Sequence, residues 1–122
     1  MSKANKGSGV PAKLLERLSE DEGITGGISD DEAGLLLDAM KKELSKATAG
    51  KSAADTEAAY AAVVARGRRL AKIVSAQCYD SDPAEANQLW TEAGGKGSLD
   101  GVSAADAAAV MKDLLAREGL GQ

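Results

Sequence analysis

The chain has no histidine, no phenylalanine and a single cysteine among 122 residues, and only three aromatic side chains: Tyr60, Tyr79 and Trp90. Without histidine, the common zinc and haem ligand sets are missing, and so is any Ser-His-Asp or Cys-His nucleophile. The usual acid/base group of neutral pH is missing too. One thiol, Cys78, cannot close an internal disulfide, so nothing calls for an oxidising compartment. Residues 1–9 contain no apolar signal segment, and no run approaches the roughly 20 apolar residues of a membrane span. The expectation is a soluble, cytoplasmic protein that does not engage a membrane.

What the chain does have is alanine, at 24 positions, and a segregated charge pattern behind a net charge of −4. Residues 1–13 carry Lys3, Lys6 and Lys13 and no acid. Residues 14–32 carry Arg17 against seven acids, and residues 51–72 carry five basic groups against two acids. Large aliphatic residues other than Met1 number 24, a thin supply for a chain of this length. Alanine packs helices closely but buries little area. The composition therefore predicts a slim bundle, or one whose core is completed by a partner.

Apolar periodicity of three and four predicts an all-α fold of about five helices, with no segment of period two. Residues 1–10 are read as a flexible basic arm and 11–120 as a single helical domain. The first helix runs from Pro11 to Ser19, with Leu14, Leu15 and Leu18 on one face. The second spans Asp30 to Ala47 behind a Ser29/Glu32 capping box, and its face is Ala33, Leu36, Leu37, Met40 and Leu44. The third and longest is expected from Ala53 to Tyr79, capped by Ser52, with the stripe Tyr60, Val63, Val64, Gly67, Leu70, Val74 and Cys78. The fourth starts at Asp82-Pro83 and ends near Ala93. The fifth is expected from Ala104, with Ser103 as its cap and Val110, Met111, Leu114 and Leu115 facing inward.

The second and fifth helices begin alike: Gly27-Ile28-Ser29-Asp30-Asp31-Glu32-Ala33 echoes Gly101-Val102-Ser103-Ala104-Ala105-Asp106-Ala107. Two helix–loop–helix units would then flank the long central helix. Each echo resembles the exit half of an EF-hand, in which an apolar loop residue precedes a hydroxyl or acid and an acidic residue follows. The resemblance covers about 20 residues per unit. It implies at most one calcium site, at Asp21, Thr25, Ser29 and Glu32. The third loop position is Gly23, which offers no side-chain oxygen, and the second unit has Gly95, Gly97 and Leu99 at the first, third and fifth positions.

Arg66, Arg68, Arg69 and Lys72 form a basic group on the third helix, which with Lys3 and Lys6 could contact the phosphates of a nucleic acid. No aromatic residue is interleaved for base stacking. Glycine loops precede two helices without a phosphate-binding signature. Cys78 lies on the apolar stripe, and Trp90, the largest apolar side chain, is the candidate interface anchor. With no catalytic constellation and no cofactor motif, the expected role is non-catalytic: a small helical interaction or assembly module, whose partner is another protein or a second copy. An accessory nucleic-acid-binding role is the alternative, and a degenerate calcium-binding helix–loop–helix role a further one.

Overall fold

Caps and apolar spacing give six α-helices among the residues described by the computed structural model, which are 12–99 and 106–121. These are α1 (Ala12–Ser19), α2 (Glu22–Thr25), α3 (Asp30–Thr48), α4 (Ala53–Val74), α5 (Pro83–Glu92) and α6 (Ala107–Glu118). A π-helical turn, Ser75–Tyr79, follows α4 without a break. No strand is present among the described residues. The basic arm, Pro11 and Ser103 lie outside them.

The start signals act as expected at three helices. At α3 the Ser29/Glu32 capping box is present, and the Ser29 N–H donates to Glu32 Oε1 at 3.1 Å. At α4 the Ser52 hydroxyl accepts from the Asp55 N–H, and at α5 Asp82 accepts from the Glu85 N–H with Pro83 in the first turn. Each satisfies a backbone donor that the helix itself leaves unpaired. Gly119 ends α6 in the left-handed conformation, at φ 69°, and Leu120 beyond it is buried.

Three boundaries differ from expectation. Residues 22–25, expected in a glycine loop, form the short helix α2, because Asp21 caps it and Ile24 is driven into the core. The long helix stops being α-helical at Val74, where the backbone takes up an extra residue and the Asp80 N–H reaches the carbonyl of Ser75, five residues back. The last helix begins at Ala107 rather than Ala104. Asp106 is its cap, accepting from the N–H groups of Ala108 and Ala109.

α3 and α4 form the most extensive contact, α6 packs against both, and α5 packs on α4 and the π turn. The two expected helix–loop–helix units therefore meet directly, α6 on α3, as well as through α4. All the stripe positions of α4 from Tyr60 to Val74 are buried, and one core cluster joins every helix. Only Tyr79 is an exposed large apolar side chain among the described residues. Of the two expected outcomes, a slim bundle or a core completed by a partner, the described residues fit the first: alanine brings the helices close enough for the available aliphatics to enclose one another. Gly67 shows how. It faces Met40 on α3 so closely that a Cβ there would fall within the thioether.

Candidate functional site

The two ends of the bundle differ in charge. At one end meet the start of α3, the π turn and the start of α6. Glu32 of α3 is buried, and its carboxylate accepts from the Tyr79 hydroxyl as well as from Ser29 N–H. Burial raises the Cys78 thiol, and the carboxylates of Glu32 and Asp106 add to that rise. Asp30, Asp31, Asp80 and Asp82 are exposed around them. Locally these acids complement the N-terminal dipoles of α3, α5 and α6. Residues 18–40 and 73–95, which include the start of α3, the π turn and α5, contain no lysine or arginine. At the other end, where α3 finishes and α4 begins, Lys46 and Lys51 share a groove with Asp55.

Burial pushes the Glu32 carboxyl up, but the bonds from Tyr79 and Ser29 outweigh it and hold the group below its ordinary value. A lowered folded value means that the charged form stabilises the fold. The contribution is complete above the ordinary glutamate range and is lost as pH falls through the lowered value. The advantage in melting temperature of the native chain over Glu32→Gln should therefore be full at neutral pH. It should shrink as pH falls below the ordinary glutamate range. A constant difference over that fall in a thermal melt would contradict this account.

The basic group expected to contact phosphate is dispersed. Arg66 donates to the Glu118 carbonyl at 3.1 Å and to its carboxylate at 3.3 Å, and lies 3.9 Å from Glu43. It ties α6 to α4 and α3. Arg68 forms a two-pronged pair with Asp21, at 2.7 and 3.2 Å, on a different face. Arg68 beside Asp21 holds that carboxyl below its ordinary value, against the effect of burial. Only Arg69 and Lys72 of the α4 group carry no ion pair among the described residues. Lys3 and Lys6 lie outside the described residues.

The four residues expected at a calcium site are not brought to one point. Asp21 is engaged by Arg68 and by the Gly23 N–H, and the Thr25 hydroxyl donates to the Asp21 carbonyl inside a helical turn. Ser29 and Glu32 are committed to the α3 cap and to Tyr79. No group of three potential metal-ligating side chains occurs among the described residues.

Trp90, expected as an interface anchor, is 1% exposed and belongs to the core. Its indole N–H donates to the Lys96 carbonyl at 3.3 Å. The anchor is thus internal: a large rigid ring gains most where it is enclosed, and α5 places it against α4. Burial, with the carboxylates of Glu32 and Asp106, holds the Cys78 thiol above its ordinary value, which disfavours the nucleophilic thiolate. A cavity of about 230 Å³ lies between α4 and the ends of α5 and α6, with Arg66, Arg69, Glu92 and Glu118 around a Leu70 floor. It is smaller than the roughly 300–1,000 Å³ of ordinary ligand pockets. Two of its four charges are spent on each other in the Arg66–Glu118 pair.

Tyr79 is the residue that sequence reasoning missed. Its hydroxyl is fixed by Glu32 while 48% of its surface is exposed, at the acidic end. Comparison with protein-family models, with curated proteins and with solved structures gives no match to this chain. No described helix is long and apolar enough to cross a membrane.

Proposed function

We propose that this chain is a non-catalytic interaction module that associates through its oppositely charged ends. The observation that carries the reading is the separation of charge. Two segments, 18–40 and 73–95, are without lysine or arginine, and residues 1–13 hold three lysines and no acid. Charge patches of opposite sign steer association and select partners more than they add raw affinity. The closed apolar core supports the same reading, since it directs attention from hydrophobic self-association to polar contacts. The raised thiol and the small, internally paired cavity give catalysis no evident centre.

Light scattering at high concentration and low salt tests the reading. The expected average mass exceeds the 12.4 kDa of one chain and falls back towards it as salt rises. A strict monomer at every concentration, with no partner protein recovered by the tagged chain from its source cells, would overturn it.

A further inference from the structure

We propose that the cavity between α4 and the ends of α5 and α6 binds a small zwitterion, an α-amino acid with a short aliphatic side chain. The cavity lies within one chain, so the proposal goes beyond the interaction reading and does not depend on it.

The charges around the cavity select the ligand. Arg66, Arg69, Glu92 and Glu118 line it, so two cations face two anions. Arg66 and Glu118 are already joined, the guanidinium donating to the carboxylate at 3.3 Å and to the Glu118 carbonyl at 3.1 Å. Arg69 and Glu92 remain. They form no ion pair with each other or with any other described residue. Glu92 accepts at Oε2 from the Gln88 amide at 3.0 Å, a neutral donor that steadies the carboxylate and leaves its charge unmatched. One unmatched cation and one unmatched anion, on different helices, thus border one space. A simple anion entering it would meet Glu92 and Glu118, and a simple cation would meet Arg66 and Arg69. A molecule that carries both charges finds an opposite charge for each of its ends.

The helices set its orientation. Arg69 follows Arg66 on α4 by about one turn, and its planar guanidinium suits a carboxylate, which it can hold through two parallel bonds. Arg66 is less able to do so, because one of its nitrogens is committed to Glu118. Glu92 is the last residue of α5, whose last turn holds no basic residue. The negative end of that helix dipole adds to the attraction of Glu92 for an ammonium group. The ligand's carboxylate therefore faces α4, and its ammonium group faces the end of α5.

Size and apolar surface define the remainder. The floor, Leu70, is buried, while Ala65 and Ala93 bring methyl groups to an exposed rim through which a ligand can enter. The volume of about 230 Å³ is about eight times the roughly 30 Å³ that one water molecule occupies in the liquid. That is room for about eight non-hydrogen atoms, the size of valine. A short aliphatic side chain lying on Leu70 and the two alanines removes apolar surface from water.

Titration of L-valine into the native chain at neutral pH and fixed ionic strength, followed by amide NMR, tests the proposal. Saturable shifts are expected at Ala65, Arg69, Leu70, Glu92 and Ala93, with a dissociation constant in the millimolar range that suits so few atoms. N-acetyl-L-valine lacks the ammonium charge and L-valinamide lacks the carboxylate. Each should bind at least about tenfold more weakly than valine. Arg69→Gln and Glu92→Gln, neither of which breaks an ion pair of the fold, should each weaken valine binding at least about tenfold. Ala65→Leu fills the rim without changing charge and should abolish the shifts. The amide spectrum of each variant reports directly that it is folded. No saturable shift up to about 100 mM valine would overturn the site. N-acetyl-L-valine bound as tightly as valine would overturn the zwitterion and leave a plain anion contact. Unchanged affinity in Arg69→Gln or Glu92→Gln would overturn the assigned orientation and with it the proposal. None of these outcomes bears on whether chains associate.

Discussion

Trp90→Ala is expected to destabilise the fold by about 3–5 kcal/mol, the range for removing a fully buried large aromatic side chain. The indole is 1% exposed in the core cluster, and its N–H holds the Lys96 carbonyl. Gly95 lies so close to the ring that a Cβ there would collide with it. Leu99 is buried just beyond, its N–H donating to Asn87 Oδ1 at 3.0 Å. Loss of the ring therefore removes apolar burial and the support on which the chain between α5 and Leu99 is folded. For a domain whose total stability is of the order of 5–15 kcal/mol, the variant should be close to unfolding. Urea denaturation followed by circular dichroism measures it without relying on Trp90 fluorescence. A loss below about 1 kcal/mol would show that the ring is not an anchor.

Gly67→Val should cost about 2 kcal/mol, the balance of two opposed effects. Replacing glycine by β-branched valine in a helix interior gains only a few tenths of a kcal/mol, because valine is itself a poor helix former. Overpacking a full core costs about 1–3 kcal/mol or more, and the added carbons would stand where the buried Met40 thioether lies. Shortening Met40 relieves the collision. Met40→Ala alone should cost about 2–5 kcal/mol, but Gly67→Val with Met40→Ala should cost less than the sum of the two. Strict additivity in that cycle would show that the two positions do not share space.

Much of the fold was legible because its signals are local. Ser29 with Glu32, Asp82 with Pro83, and the stripe from Tyr60 to Val74 each state a helix start or face within a few residues. Where the reading failed, the deciding force came from elsewhere in the chain. Residues 22–25 sit among glycines and read as a loop, yet a single apolar side chain, Ile24, entering the core fixes them as a helix. Nothing in Ser75-Ala76-Gln77-Cys78-Tyr79 distinguishes a π turn from an α turn. Its correlate is tertiary, the bond from Tyr79 to Glu32 47 residues away. The candidate site was legible only as charge. Sequence places Arg66 and Arg68 two positions apart, which on a helix is about 200°, so their dispersal to different partners follows from geometry. Their carboxylate partners, Glu118 and Asp21, are remote in sequence. The exposure of Tyr79 and the enclosure of Trp90 also depend on which neighbours pack around them, and composition treats both simply as aromatic.

The π turn has a consequence for how the chain tolerates change. An α-helix advances by about 100° per residue, and a π turn accommodates one residue more than an α turn does. Removing one residue from 75–79 would let α4 continue in unbroken register and improve its local hydrogen bonding. It would also swing everything beyond by about 100°, carrying the phenol away from Glu32 and aiming Pro83, and with it α5, at a different face of the bundle. The extra residue thus sets an angular phase. The first half of the chain and the second keep their alignment because the helix between them is one residue out of step.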